Sequence, residues 1–179
     1  MHLQQPVKGK RIQLCSSTEE DAEFILGLRM DPQLNKHLNP TSPDVEAQRN
    51  WLRSVYTKPG DFNFTIKDLD GRLLGVVAIY QIDEEKKTFN WGRWIISPEA
   101  PMYTAIESAL LVYYTAFHLL GLETALSDVR IENANVVKFH LSYGAHIYRT
   151  TELDIFYEFH KHQYPEMLRK FKGFHQILL

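Results

Sequence analysis

The sequence predicts an α/β (α+β) fold in which a mixed, mostly antiparallel central sheet carries helices on both faces. Two observations lead to this prediction. Segments whose apolar residues recur with a helical period alternate with segments of period two, and three strand patterns follow one another across short turns. Strands joined by short turns pair antiparallel, whereas strands that flank a helix favour parallel pairing, so we expect a mixed sheet.

The first third of the chain predicts one strand and two helices. The strand covers residues 10–16, and Ser17-Thr18-Glu19-Glu20 then has the spacing of a capping box, with a hydroxyl at the cap and a carboxylate three residues later. The helix that follows ends near Asp31. A second helix begins around Pro43, because proline suits the first helical turn, and runs to about Tyr56.

The middle of the chain predicts an antiparallel meander of three strands. Phe62, Phe64 and Ile66 alternate with polar residues, which is the pattern of a half-buried strand. Strands over 73–82 and 88–97 follow across polar turns. This meander supplies the antiparallel part of the sheet.

The last part of the chain alternates helices with strands. From residue 104 the apolar period is helical until Gly121, a residue typical of a helix C-terminus. A strand over 124–131, a helix over 133–143 and two strands within 146–159 follow, with a short helix before the apolar end. The helix between two strands predicts the parallel pairing in the sheet.

Composition narrows the class of protein. The 179 residues suit a single domain, 1–179, and the formal net charge of -2 argues against a broad nucleic-acid-binding surface. Cys15 is the only cysteine, so an intrachain disulfide is impossible and a reduced compartment is expected. The most apolar stretch, 109–122, is shorter than the roughly 20 residues of a membrane span. We therefore expect a soluble cytoplasmic protein with no membrane partner.

Three segments of this pattern resemble a known family. They are Gly75-Val76-Val77-Ala78-Ile79-Tyr80, then Trp91-Gly92-Arg93-Trp94-Ile95-Ile96-Ser97, and finally Val129 to Asn135 followed by Phe139 to Ala145. Together they resemble the GNAT superfamily of N-acetyltransferases, in particular its branch of ribosomal-protein and amino-sugar N-acetyltransferases. The resemblance covers about residues 11–157 and implies a GNAT-like fold. His140 stands where the family usually has a tyrosine.

The resemblance implies acetyl-CoA as co-substrate, and physical chemistry indicates how it would bind. A helix N-terminus suits a pyrophosphate, and an exposed strand edge can pair with the amides of the pantetheine arm. The loop 98–103 departs from the family because it has no glycine and contains Glu99, whose carboxylate must then point away from the phosphates. The candidate cofactor-binding residues are Trp94, Ile95, Ile96, Ser97, Met102, Tyr103, Thr104, Ala105 and Asn133.

Two residues are candidates for proton transfer. On the predicted helix 133–143, His140 shares a face with Asn133, and an imidazole can protonate a departing thiolate near neutral pH. The alternative is a partly buried histidine bonded to a neighbouring carbonyl. Asp128 is a candidate general base that would deprotonate the acceptor amine, with Glu107 also available. The alternative is that Asp128 pairs with Arg130, two residues along the same strand.

The acceptor pocket is expected between the two early helices and the late strands. Asn35 and His37 lie in the connection of those helices, and Trp91 and Arg93 should project from one face of their strand. The alternative is that Trp91 is a core residue and Arg93 a partner at the surface. Aromatic and basic side chains suit a sugar ring and a phosphate, so the expected substrate is a primary amine of a small molecule, with a nucleotide-linked amino sugar preferred. A protein N-terminal acetyltransferase and a non-catalytic binding module are the alternatives.

Metal and subunit partners have less support in the sequence. The run His160-Lys161-His162 has no third ligand at a useful spacing, so no metal site is expected. A homodimer is a possible assembly that the sequence leaves open.

Overall fold

A computed structural model describes residues 1–38 and 40–177 of the chain. Its strands are β1 (Val7–Lys8), β2 (Ile12–Ser16), β3 (Phe62–Asp68), β4 (Leu73–Asp83), β5 (Thr88–Ile96), β6 (Thr124–Arg130), β7 (His146–Thr150) and β8 (Asp154–His160). They form one sheet in the order β1-β2-β3-β4-β5-β6-β8-β7. Every neighbouring pair is antiparallel except β5 and β6, which are parallel.

The α-helices are α1 (Ala22–Met30), α2 (Val45–Tyr56), α3 (Tyr103–Tyr114), α4 (Ala134–Ser142) and α5 (Tyr164–Lys170). Helix α2 begins after Pro43 because Asp44 caps it, its Oδ1 accepting a hydrogen bond from the Glu46 amide at 2.8 Å. Gly144 follows α4 with φ of 95°, a left-handed conformation that suits glycine at a helix end.

Helices cover both faces of the sheet. Val76 and Val77 are neighbours in β4, and their side chains point to opposite faces. Val76 packs with Ile25 and Leu52 of α1 and α2, whereas Val77 belongs to the larger apolar cluster that includes Tyr113 of α3. This mixed sheet with helices on both faces confirms the predicted fold class, including the parallel pair on either side of α3.

The start of α1 differs from the sequence expectation by one residue. Thr18, not Ser17, caps a short 3-10 helix, Glu19–Asp21, that leads into α1, and its amide donates to Asp21 Oδ2 at 3.0 Å. Ser17 is buried, and its hydroxyl lies 2.9 Å from Thr65 Oγ1 on β3. The predicted Ser17–Glu20 box was wrong because the first hydroxyl has a partner across the sheet, which local spacing does not reveal.

The end of α3 also differs. The sequence predicted one continuous helix to about residue 120, but Thr115–Leu119 forms a wider π-type turn in which the Leu120 amide donates to the Thr115 carbonyl at 2.9 Å. The Thr115 hydroxyl donates to the Leu111 carbonyl at 2.7 Å. Within residues 1–38 and 40–177, no helix is both long enough and apolar enough to cross a lipid bilayer.

Candidate functional site

Strands β5 and β6 diverge soon after they begin. Only two residue pairs join them, Thr88 with Thr124 and Phe89 with Ala125. From residue 90 to residue 96, the edge of β5 that faces β6 has no strand partner in the described part of the chain. An open strand edge can pair with the amides of an extended ligand. The divergence thus leaves the end of β5 accessible, as expected from the sequence.

A cavity of about 800 Å³ occupies the space between the diverging strands. Since the sheet is open there, the cavity extends from α1 and α2 on one face to α4 on the other. Its volume is in the range of small-molecule and cofactor sites. The predicted site residues that line it are Trp91, Arg93, Trp94, Asp128, Asn133 and His140.

A bulge in β5 turns Arg93 to the opposite face of the sheet from Trp91. Arg93 has φ of 50°, which is uncommon for a residue other than glycine, and the pairing with β4 shifts between Val76 and Ala78. Trp91 and Trp94 consequently lie on the same face, with ring centroids 5.4 Å apart. Arg93 contacts the opposite, α1–α2 side. The prediction that Trp91 and Arg93 project from one face was wrong, because it assumed unbroken alternation along the strand.

Arg93 is held by a buried carboxylate. Its Nη1 and Nη2 donate to Asp61 Oδ1 at 2.6 Å and Oδ2 at 3.2 Å, and Nη1 also donates to Asn63 Oδ1 at 2.9 Å. Asp61 is 2% exposed. Burial alone raises the pKa of this carboxyl, but the hydrogen bonds and charge of Arg93 hold the pKa below its usual range. The guanidinium is therefore fixed at the cavity wall, 4.6 Å from the centre of the Tyr80 ring.

Asp128 differs from the other acidic side chains of the cavity. It is exposed, and its carboxylate makes no hydrogen bond or ion pair with a described residue. Arg130 pairs instead with Asp154 at 3.3 Å, so the alternative Asp128–Arg130 pair does not form. Burial, and next the negative charge of Asp128, raise the pKa of Tyr80. An unpaired carboxylate at this position can accept a proton from a bound ligand.

The wall beside Asp128 is closely packed around a glycine. A Cβ on Gly92 would lie 2.8 Å from the Tyr80 hydroxyl, well inside normal contact distance. Gly92 therefore lets the Tyr80 phenol lie directly over β5 at the cavity.

His140 is buried in a chain of hydrogen-bonding side chains. It is 3% exposed, and its Nδ1 lies 2.7 Å from the Tyr143 hydroxyl. That hydroxyl is 2.8 Å from Tyr113 Oη, to which Trp91 Nε1 donates at 3.0 Å. The His140 ring lies between aromatic rings, stacked on Tyr157 with centroids 5.0 Å apart. His140 is thus a cavity residue rather than one bonded to a neighbouring carbonyl.

The environment of His140 changes its acid–base chemistry. Burial lowers the pKa of His140 to about 4, so the imidazole is neutral at pH 7. The expectation of a charged acid near neutral pH assumed an ordinary pKa and needs correction. A neutral imidazole can still donate one hydrogen bond from the ring nitrogen that carries hydrogen.

The N-terminus of α3 offers unpaired backbone donors. The amides of Met102 and Tyr103 donate to no described acceptor, and the Thr104 hydroxyl is buried without a hydrogen-bond partner in that part of the chain. Met102 is 95% exposed. Such amides, together with the helix dipole, make an anion site possible at this end of the helix.

The loop before α3 needs no glycine for its backbone path. None of the residues 97–102 has a positive φ, and the Ala100 amide donates to the Ser97 carbonyl at 2.9 Å in an ordinary turn. Glu99 points outward, its side chain 85% exposed and 3.6 Å from Arg72. This is the orientation towards solvent and a basic partner that the sequence required of Glu99.

Glu107, the second candidate base, has a structural role. It is fully buried on α3, and its Oε1 accepts from the Arg11 amide at 2.7 Å while Oε2 pairs with Arg11 Nε at 3.1 Å. It does not line the cavity. Its carboxylate ties α3 to the start of β2.

The other predicted site residues lie away from the cavity. Ile95 is buried against α1 and α2, and the Ser97 amide donates to the Leu74 carbonyl at 2.9 Å. Asn35 begins the short helix Asn35–His37 and does not line the cavity, and the side chain of His37 lies outside the described part of the structure. The remaining cofactor candidates Ile96, Met102, Tyr103, Thr104 and Ala105 are not cavity-lining residues either.

The sequence prediction missed several cavity residues, most of them from the first half of the chain and two from β6. These are, among others, Ser17, Arg29, Gln48, Trp51, Tyr80, Ser127 and Arg130. The one signal in the sequence was Trp51 among the polar residues of the predicted second helix, and the structure shows this side chain 39% exposed. Within residues 1–38 and 40–177, no cluster of three or more histidine, cysteine, aspartate or glutamate side chains could hold a metal ion.

The chain matches a known protein family and several solved structures. The family described as "Acetyltransferase (GNAT) domain" matches residues 11–146. The structure entitled "Apo FdhC- a nucleotide-linked sugar GNAT" is 32% identical with a TM-score of 0.88, over 97% of this chain and 100% of that one. None of the curated proteins matches significantly.

A more distant structure shares the fold. Spermidine N-acetyltransferase from Vibrio cholerae, in complex with CoA and spermine, is 18% identical with a TM-score of 0.73, over 87% of this chain and 98% of that chain. At this identity the likeness concerns the fold alone.

Proposed function

The chain belongs to the GNAT family of acetyltransferases, and from this we propose that it transfers an acetyl group from acetyl-CoA to a primary amine of a phosphate-bearing small molecule. A nucleotide-linked amino sugar is the preferred acceptor, and the cytoplasm the proposed location. The observation that carries the proposal is the unpaired carboxylate of Asp128 beside a cavity of about 800 Å³, opened by the divergence of β5 and β6.

The free edge of β5 and the N-terminus of α3 fit acetyl-CoA. Backbone groups of residues 94–96 would pair with the pantetheine amides, whereas the Ser97 amide is already bonded to Leu74, and the first turn of α3, from Met102 to Ala105, would bind the pyrophosphate. The unpaired amides of Met102 and Tyr103 would supply donors there. Asn133, which precedes α4 and lines the cavity, would bond the pantetheine arm. Acetyl-CoA itself supplies the thioester-linked acetyl group.

Asp128 is proposed as the general base. The amine reaches the site as an ammonium group and must lose a proton before its nitrogen can attack. Asp128 takes that proton and releases it to solvent. The C–N bond then forms as the C–S bond breaks, and the second N–H proton passes to the departing thiolate, giving an amide and free CoA thiol. His140 lines the same cavity and would donate a hydrogen bond.

Charge in the cavity favours an acceptor with phosphate groups over a polyamine. Arg29, Arg93 and Arg130 line the cavity, against the carboxylates of Asp128 and Asp154. Burial, and next the positive charge of Arg93, lower the pKa of Arg29, so two guanidinium groups lie near each other. Asp61 pairs with Arg93 and Asp154 with Arg130, but these guanidinium groups keep further charged N–H donors that a phosphate can accept from, whereas a polyamine offers them no acceptor. The aromatic side chains of the same wall suit a sugar ring.

We expect acetyl-CoA to stabilise the protein against heat. At about 100 times its dissociation constant, a ligand that binds only the folded state adds about 2.7 kcal/mol. The measurement is a thermal melt with and without millimolar acetyl-CoA, with desulfo-CoA as a control that retains the pyrophosphate. Equal melting temperatures with and without acetyl-CoA would favour the non-catalytic binding module.

The acceptor is tested by a thiol-release assay with four amines. These are a nucleoside-diphosphate amino sugar, the same amino sugar without its nucleotide, spermidine and a peptide with a free N-terminus. We expect the highest kcat/KM for the nucleotide-linked sugar. A preference for spermidine would contradict the charge argument, and a preference for the peptide would support a protein N-terminal acetyltransferase.

Two substitutions test the proposed phosphate position. Ala105→Glu places a carboxylate in the first turn of α3, where at about 4 Å and an effective dielectric near 20 like charges repel by about 4 kcal/mol. We expect it to abolish acetyl-CoA binding in calorimetric titration. Glu99→Gln is the matched control, because this carboxylate already points to solvent, and it should leave affinity within a few fold. A large gain from Glu99→Gln would contradict the proposed position.

A further inference from the structure

The chain of hydrogen bonds behind His140 has a direction that its donors impose. Trp91 Nε1 can only donate, and it donates to Tyr113 Oη at 3.0 Å. Tyr113 and Tyr143 join their hydroxyls at 2.8 Å, and Tyr143 reaches His140 Nδ1 at 2.7 Å. Each side chain is less than 5% exposed, so water does not replace a missing partner.

Two proton arrangements are conceivable, and only one satisfies every donor. If His140 Nδ1 carried the hydrogen and donated to Tyr143, a Tyr143 hydroxyl that also accepted from Tyr113 would leave its own hydrogen without an acceptor, so Tyr143 would have to donate to Tyr113. The hydrogen of Tyr113 would then have no acceptor, because Trp91 offers only a donor and no other described group bonds to Tyr113 Oη. A buried donor without an acceptor is costly. In the opposite order, Tyr113 donates to Tyr143, Tyr143 donates to Nδ1, and every hydrogen is used.

The second order leaves the imidazole hydrogen on Nε2. Burial lowers the pKa of His140 to about 4, so the ring is neutral at pH 7 and carries one hydrogen. Nε2 has no protein partner in the described part of the chain, and His140 lines the cavity. The rings of Trp91 and Tyr157 cover the imidazole, with centroids 5.4 Å and 5.0 Å away.

We propose that Tyr143 is a positioning residue that fixes the Nε2–H tautomer of His140 and so presents a hydrogen-bond donor, not an acceptor, to the cavity. This inference rests on the proposed acetyl transfer, in which that donor would stabilise negative charge on the departing thiolate. No proton leaves His140 in this role. Tyr113 accepts from Trp91 and donates to Tyr143, and Nδ1 is then the one acceptor for the Tyr143 hydrogen among the described residues, as it would be with a phenylalanine at position 113.

The tautomer can be read directly, without any substrate. Nitrogen-15 NMR of imidazole-labelled protein separates a protonated ring nitrogen from an unprotonated one. For His140 in the wild-type protein at pH 7, we expect a hydrogen on Nε2 and an accepting Nδ1. A wild-type spectrum with the hydrogen on Nδ1 would overturn the proposal even if the enzyme transfers acetyl groups, whereas the expected spectrum in an inactive protein would overturn only the proposed function.

Two variants separate positioning from a general loss of packing. Tyr143→Phe removes the donor to Nδ1, so we expect a mixture of tautomers and a kcat lower by about five- to tenfold, the value of one ordinary hydrogen bond, with KM for acetyl-CoA unchanged. Tyr113→Phe loses a buried hydroxyl of the same chain but leaves Tyr143 able to donate, and it should keep the wild-type tautomer. The same spectrum for Tyr143→Phe and wild type would contradict the proposal, and if Tyr143→Phe does not fold, the wild-type spectrum still decides.

Discussion

Replacing Asp128 by asparagine is expected to lower kcat/KM for the amine acceptor by about 10²–10⁴-fold, the usual contribution of a general base. Asparagine has nearly the same shape but cannot take a proton from an ammonium group. The wild-type carboxylate is exposed and unpaired in the described part of the chain, so its removal leaves no buried partner without a bond. The measurement is steady-state thiol release at pH 7, with the affinity for acetyl-CoA measured separately and expected to be unchanged.

The loss of kcat/KM in Asp128→Asn should become smaller as the pH rises, because a growing fraction of the amine is then already deprotonated in solution. Asp154→Asn is the matched control, since this carboxylate lines the same cavity but pairs with Arg130. We expect the control to stay within a few fold of the wild type. An Asp128→Asn enzyme that keeps more than a tenth of wild-type activity at pH 7 would assign the base elsewhere.

Replacing Glu107 by alanine is expected to lower the free energy of unfolding by about 3–5 kcal/mol. The carboxylate is fully buried and accepts from the Arg11 amide and the Arg11 guanidinium, so its loss leaves buried donors unsatisfied between α3 and β2. Urea unfolding measures the change, as a lower midpoint with an unchanged slope. Glu46→Ala removes a glutamate from an exposed ion pair with Arg49, and it should change the free energy of unfolding by less than about 1 kcal/mol. A similar midpoint for both variants would contradict the structural role of Glu107.

Much of the fold could be predicted from the sequence because its elements carry strong local signals. The alternation of Phe62, Phe64 and Ile66 marks a strand that is buried on one face, and all three side chains are buried. Gly121 and Gly144 mark helix ends, and both have positive φ. These signals lie within a few residues of the feature that they specify.

The arrangement around the candidate site depends on longer distances along the chain. Arg93 faces away from Trp91 because of a bulge, and its partner Asp61 lies 32 residues earlier. Tyr113 and Tyr143, 30 residues apart, determine the surroundings of His140. No local pattern identifies such pairs, which form only when the sheet and the helices have packed. For this reason the sequence predicted His140 as a site residue but assigned it the wrong charge.

The seam between β5 and β6 has a consequence for the order in which the chain can fold during synthesis. Strands β1 to β5 are neighbours in the sheet in the same order as in the chain. This half of the sheet can therefore form while the later strands are still being synthesised. Helix α3 emerges next and covers the exposed apolar face of that half. Strands β6, β8 and β7 complete a second ribbon, which meets the first through only two residue pairs. The cavity between β5 and β6 therefore cannot be complete until this second ribbon has joined the sheet.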